Sequence, residues 1–100
     1  MTFTDEPAEL DYGDMLIQLY PVGTDVNGYV YAIRHTSEGW RFSHVCTSPR
    51  SGHTWRIAPL LQIGHGHEVL STHPLHIEAS ILCDDCGTHG WVRDGEWVPA

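Results

Sequence analysis

The chain has 100 residues, of which 41% are hydrophobic and 18% charged, and its formal net charge is −8 with histidine neutral. This length fits one compact domain, and the composition is that of a folded chain rather than a disordered one. The five basic residues are all arginines and stand against thirteen carboxylates, a balance that disfavours binding to a phosphate backbone. No apolar run reaches the roughly 20 residues of a membrane span, and the first residues do not form a signal peptide. We therefore expect a cytoplasmic protein.

The N-terminal residues differ in composition from the rest. Residues 1–14 are acidic and contain few apolar side chains, which predicts a flexible acidic arm. Residues 15–100 are expected to form a single zinc-stabilised β domain. Its first strand is predicted over residues 15–20, where the chain is apolar, and Pro21 is expected to end that strand.

Further short strands are predicted wherever β-branched and aromatic residues cluster between turn residues. They cover residues 29–34, 40–45, 54–58, 75–82, 90–94 and 96–98. The pair Asp94-Gly95 is a strong signal for a two-residue hairpin, whereas residues 59–72 predict a mobile loop. The expected fold class is mainly β with little helix, a small antiparallel sheet of hairpins pinned by a zinc-ribbon-like metal site.

Two cysteines near the C-terminus have the spacing of a metal-binding turn. In Cys83-Asp-Asp-Cys86-Gly87, two thiolates can reach one metal ion if the backbone folds into a tight turn, and the glycine permits that turn. A redox-active CxxC would need a βαβ context, which the sequence does not predict. Cys46 and His53, which bracket a polar loop, are expected to supply the other two ligands of one structural zinc ion.

The identity of the fourth ligand stays open among three histidines. His89 lies three residues after Cys86 and is the alternate to His53. His44 is a further substitute, and it shares a face with Cys46 only if the strand that contains them is regular.

Two stretches of the sequence resemble small proteins encoded by bacteriophages of actinobacteria. Residues 75–98 are similar to the family's strand with Ser-Ile, its cysteine-glycine-histidine turn and its aromatic-rich Asp-Gly hairpin. Residues 46–55 are similar to its cysteine-loop-Gly-His-Trp segment. The family is a domain of unknown function that is presumed to bind zinc. The resemblance implies action in a host cytoplasm and metal-binding positions at Cys46, His53, Cys83, Cys86 and His89.

Three functions are compatible with these features. The first is a non-catalytic accessory protein that binds a host or phage protein, for which small size, acidity and a closed metal site argue. The second is a metal-dependent hydrolase or nuclease that uses the surplus histidines His65, His67, His73 and His76, with Glu68 or Glu78 as base. The third is a nucleic-acid-binding zinc ribbon, for which the candidate contacts are Arg34, Arg41, Arg50, Arg56 and Arg93. We expect a protein partner, no catalysis, no membrane and no nucleic acid, and the oligomeric state stays open.

Overall fold

A computed structural model describes residues 12–47, 52 and 54–100. In these residues the chain forms eight strands and no helix, so that no described segment is a helix able to span a membrane. The strands are β1 (Leu16–Thr24), β2 (Val30–Thr36), β3 (Gly39–Thr47), β4 (Thr54–Ile57), β5 (Glu68–Thr72), β6 (Leu75–Leu82), β7 (His89–Arg93) and β8 (Glu96–Pro99). The expected mainly β fold of antiparallel hairpins is confirmed.

The strands form two antiparallel sheets of four rather than one. Their orders are β1-β2-β3-β4 and β5-β6-β7-β8, so each sheet is a meander in which sequence neighbours pair. The turn between β7 and β8 is the Asp94-Gly95 hairpin that the sequence predicts. Asp94 and Gly95 both have positive φ, 52° and 76°, as a two-residue turn of this twist requires.

The hydrophobic core lies between the two sheets and draws on both. Phe42 of β3 stacks on Trp97 of β8, with ring centroids 4.9 Å apart and an angle of 11° between the planes. Tyr31 of β2 lies against the same indole, at a centroid distance of 5.0 Å. Burying one side chain such as Phe42 stabilises a fold by about 1.5–3 kcal/mol. The buried members of the core are Val22, Ile33, Phe42, Leu61, Leu75, Ile77, Ile81 and Val92.

Strand β1 continues through Pro21, although the sequence predicts that this proline ends it. β1 is the edge of its sheet and pairs only with β2. A proline without an N–H group is tolerated on an edge strand, because one side of the strand makes no ladder hydrogen bonds. The stop at Pro21 was therefore wrong, and the strand ends at Thr24.

Strand β5 falls inside the stretch 59–72 that the sequence predicts to be a loop. It pairs with β6, and Val69 lies opposite Ile77. Ile77 is fully buried in the core, and Val69 packs against that core. β5 therefore depends on its neighbour β6, a tertiary contact that the local sequence does not reveal.

On its outer face the first sheet carries a buried cation. Arg41 is 7% exposed, and its Nε lies 2.9 Å from an Asp14 carboxylate oxygen. Its Nη1 donates to the Ala58 carbonyl at 2.8 Å, and its guanidinium carbon lies 4.1 Å from the Tyr12 ring centroid. Tyr12 and Asp14, which the sequence assigns to the arm, thus pack against β3, while residues 1–11 of that arm lie outside the described residues.

Candidate metal centre

Two of the candidate ligands lie on the inner face of β3. His44 and Cys46 are two residues apart, and each is 0% exposed. Their strand pairs with β4 in regular register, with His44 opposite Ile57 and Cys46 opposite Trp55. Alternation in a regular strand places residues i and i+2 on one face. Both side chains therefore point between the sheets, on the same side as Phe42.

The other two candidates lie in the turn between β6 and β7. The Gly87 amide donates to the Cys83 carbonyl at 2.8 Å, and the Cys83 amide donates to the Thr88 carbonyl at 2.8 Å. Gly87 has φ of 77°, a left-handed conformation that glycine adopts at little cost. These bonds close a tight turn that holds Cys83 and Cys86 side by side, as the CxxCG spacing predicts.

The two pairs meet in one cluster. One ligand atom from each of His44, Cys46, Cys83 and Cys86 lies within 4.8 Å of the others. The Sγ atoms of Cys46 and Cys83 are 3.9 Å apart, and all three cysteines are free of disulfides. Thiolates bound to a tetrahedral metal ion at about 2.3 Å stand about 3.8 Å from one another. The cluster therefore has the dimensions of a single four-coordinate metal site.

His44 has a free donor atom for such a metal. Its Nδ1 lies 3.3 Å from the Phe42 carbonyl oxygen, a contact that places the ring proton on Nδ1. Its Nε2 is buried and has no hydrogen-bond partner among the described residues. A buried nitrogen without a partner costs about 1–3 kcal/mol. A metal ion bound to Nε2 would satisfy it, since the second nitrogen of a metal-bound histidine usually donates to a carbonyl or carboxylate.

The electrostatics of the cluster also favour a bound cation. Burial raises the pKa of the Cys46 and Cys83 thiols. Burial acts in the same direction on Cys86, but hydrogen bonds from Thr88, Cys83 and Cys46 together outweigh it and lower the pKa of that thiol. Burial lowers the pKa of His44, which keeps the ring neutral, the form that binds metals. Three adjacent thiolates repel one another unless a cation lies between them.

An aromatic stack fixes the position of the histidine. The His44 ring lies 4.5 Å from the Phe42 ring, with 16° between their planes, and Phe42 stacks in turn on Trp97. Trp97 packs closely against Gly90, where an added Cβ would come within 2.6 Å of the indole and 2.5 Å of the Val98 carbonyl oxygen. The absence of a side chain at Gly90 therefore allows the packing that orients His44.

Three of the four predicted ligands come together, and the fourth member of the cluster is His44. His53 lies outside the described residues. His89 is exposed, is not among the four clustered residues, and has its ring 5.9 Å from that of Trp91. The available signal for His44 was its alternation with Cys46 in a strand of β-forming residues. That interpretation requires β3 to be a regular strand, and its pairing with β4 over residues 44–47 is regular.

The surplus histidines do not form a second cluster. Within the described ranges, no other group of three or more candidate ligands is close enough to hold a metal ion. His67 accepts a bond from the Gln62 amide at 3.0 Å and lies 3.0 Å from the Ser80 carbonyl. His76 is paired with Glu78 at 2.8 Å. The contacts of His67 and His76 therefore lie within the fold, and the described surplus histidines give no support to a second metal site.

Several of the arginines interact within the protein. Arg41 is held by Asp14, as described above, and Arg56 donates to the Val30 carbonyl at 2.9 Å. Arg93 lies over the Trp91 ring, with its guanidinium carbon 4.9 Å from the ring centroid. Arg50 lies outside the described residues. The guanidinium groups of Arg41 and Arg56 therefore contribute hydrogen bonds to the fold.

No protein-family model, no curated protein and no solved structure matches the chain. The fold and the cluster define its class, an all-β protein of two four-stranded meanders with a buried Cys3His group able to hold a metal ion. The resemblance to actinobacteriophage proteins stays a prediction.

Proposed function

We propose that His44, Cys46, Cys83 and Cys86 bind one structural zinc ion, and that the protein is a non-catalytic module that works by binding another protein. The observation that carries this proposal is the closed donor set. Four protein donors, three of them buried, are close enough to surround one ion. Structural zinc sites have four protein ligands, whereas catalytic sites keep one position for water.

The donor chemistry supports zinc. Three thiolates and one imidazole form a soft, compact set that suits a tetrahedral ion, and hard cations such as Mg²⁺ prefer oxygen ligands. A reducing cytoplasm, where we expect the protein to act, keeps the thiols available for the metal. The ion would connect β3 of the first sheet to the β6–β7 turn of the second. Its role would be to hold the two sheets together.

The exposed apolar side chains of β1 and of the residue before it, which we propose form one patch, support a protein partner. Met15 is 72% exposed, Ile17 61%, Leu16 42% and Leu19 40%. Contiguous apolar patches on small proteins commonly mark interaction sites. The net charge of −8 favours a partner with a basic surface around its apolar contact. We propose that this partner is a host or phage protein, in line with the resemblance to actinobacteriophage proteins.

Two measurements test the proposal. Protein purified without added metal should contain about one zinc ion per chain, and chelation should lower its thermal stability. Immobilised zinc-loaded protein should retain a defined partner from actinobacterial lysate. Ile17→Glu should abolish retention, whereas Leu70→Glu, at an exposed apolar position on β5, should not. A metal-free purified protein would refute the zinc site, and equal retention by both variants would refute the patch as the docking surface.

A further inference from the structure

The three sulfur atoms of the cluster differ in their access to water. Cys46 is 0% and Cys83 7% exposed, whereas Cys86 is only half-buried. Oxidation of cysteine depends on thiolate character and on exposure. Zinc holds all three sulfurs as thiolates, so exposure decides which one a dissolved oxidant reaches first. That sulfur is Cys86.

We propose that hydroperoxides oxidise Cys86 and that a disulfide then forms between Cys86 and Cys83. This disulfide releases the metal, which then no longer links the two sheets. This inference rests on the proposed zinc site and adds a reaction by which the site would lose its metal ion. Cys86 has two neighbouring sulfur atoms in the cluster, those of Cys46 and Cys83. Which of them forms the disulfide with Cys86 decides whether the new bond lies within one turn or joins the two sheets.

Cys83 is the partner that stays close when the metal leaves. Cys83 and Cys86 belong to one turn, which backbone hydrogen bonds of 2.8 Å from Gly87 to Cys83 and from Cys83 to Thr88 close without the metal. Cys46 lies on the other sheet, and its distance to the turn depends on how the sheets pack. A disulfide also requires a short Cα–Cα distance, which a two-residue spacing readily provides. We therefore assign the disulfide to the turn.

The reaction balances with a hydroperoxide as the only oxidant. The Cys86 thiolate attacks one peroxide oxygen, the O–O bond breaks, and hydroxide leaves to give a sulfenic acid when hydrogen peroxide is used. The Cys83 thiolate then attacks the Cys86 sulfur, so the S–S bond forms, the S–O bond breaks and a second hydroxide leaves. Two electrons pass from the two sulfurs to the peroxide. Of the four clustered residues, His44 and Cys46 then remain as donors, and two ligands do not retain a structural zinc ion.

The loss of the metal would weaken the packing between the two sheets without disrupting the strand pairing within either sheet. The stack of Phe42 on Trp97 still connects them, and each sheet keeps its own ladder. Near the metal, however, the buried Nε2 of His44 would again lack a partner. The end of the sandwich that contains the cluster would therefore open first, and reduction with zinc would close it.

The test treats zinc-loaded protein with limiting hydrogen peroxide. Released zinc is followed with a chelating dye, free thiols are alkylated, and disulfides are mapped by peptide mass spectrometry. The expected result is the loss of two thiols for each zinc released, a link between Cys83 and Cys86, and an alkylated Cys46. A reductant plus zinc should restore the bound metal. A disulfide that includes Cys46, or Cys86 oxidised to a sulfonic acid with zinc still bound, would overturn the proposal.

Cys86→His is the matched variant, because it keeps four donors and removes the exposed sulfur. This variant should keep its bound zinc at a peroxide dose that releases the zinc from the wild type. Equal zinc release from both proteins would overturn the assignment of Cys86. If this variant binds no zinc, the disulfide map of the wild type decides alone. Wild-type protein that holds no zinc before peroxide would refute the proposed function itself. Zinc that is present but not released refutes only the oxidation.

Discussion

The sulfur atoms of Cys46 and Cys83 lie 3.9 Å apart although 37 positions separate them in the chain. One belongs to β3 of the first sheet and the other to the turn that follows β6 of the second. Bringing such distant residues together costs chain entropy, and a metal ion bound to both offsets that cost in the same way as a cross-link. A metal ion in the cluster would therefore link the two sheets to each other.

His44 should prove to be the fourth ligand. His44→Ala removes a donor and leaves a cavity at a fully buried position. We expect zinc affinity to fall by at least about 100-fold, since even outer-shell changes cost 10–100-fold. Stability in the presence of zinc should fall by about 2–5 kcal/mol. Competition with a chelating dye and urea unfolding measure the two effects.

His89→Ala is the control for that substitution. His89 is exposed and is not among the clustered residues, so its removal should change stability by no more than about 0.5 kcal/mol and leave zinc affinity intact. If His89→Ala lost zinc and His44→Ala kept it, the assignment of the fourth ligand would be wrong.

Gly90→Ala should destabilise the protein although it adds a single methyl group. The new Cβ would overlap the Trp97 indole at 2.6 Å and the Val98 carbonyl at 2.5 Å. Forcing extra atoms into a packed core costs about 1–3 kcal/mol. The displaced indole would also move Phe42 and weaken zinc binding at His44. Thermal unfolding and zinc titration check both effects, with Leu82→Ala at an exposed position of β6 as control. Unchanged stability in Gly90→Ala would contradict the stacking described here.

The ionised carboxylate of Asp14 should stabilise the fold above acidic pH. Hydrogen bonds from the Thr36 hydroxyl and from Arg41 hold the pKa of Asp14 below its ordinary value. An unfolded aspartate titrates near pH 3.9, so the contribution of Asp14 is complete above about pH 5 and is lost as pH falls through the lowered native pKa. Asp14→Asn should therefore be less stable than the wild type at pH 7, and the difference should shrink in acid.

The comparison with Asp14→Asn removes the effect of the metal, because the metal ligands protonate in both proteins alike. Urea unfolding from about pH 7 down to pH 3 measures the difference. Glu38→Gln, at an exposed carboxylate in the turn between β2 and β3, is the control. A stability difference between Asp14→Asn and the wild type that stayed constant down to the lowest pH would show that Asp14 does not act through its charge.

The features that local sequence determines were predictable. The spacing of Cys83 and Cys86, followed by a glycine, specifies a turn whose hydrogen bonds all lie within six residues. The Asp94-Gly95 hairpin is equally local, because the turn demands positive φ at both residues. The alternating pattern of residues 40–45 likewise predicted the strand β3. The prediction that only one face of this strand is buried was wrong, because Arg41 and Ser43 on the opposite face are buried as well.

The features that depend on tertiary packing were not predictable in the same way. β1 passes through Pro21 because it lies at a sheet edge, and β5 forms because β6 pairs with it. The presence of His44 in the cluster, rather than one of the six other described histidines, depends on which face of β3 meets the turn of the other sheet. The partner of a two-cysteine turn is set by the packing of the sheets, and no local spacing encodes it.

X-ray absorption at the zinc edge of protein purified without added metal tests the central claim most directly. The account predicts a four-coordinate ion with three sulfur ligands at about 2.3 Å and one nitrogen ligand at about 2.0 Å. Cys46→Ser should replace one of the sulfur ligands or lose the metal. A spectrum with an oxygen ligand from water, or with fewer than three sulfurs in the wild type, would contradict a closed Cys3His site.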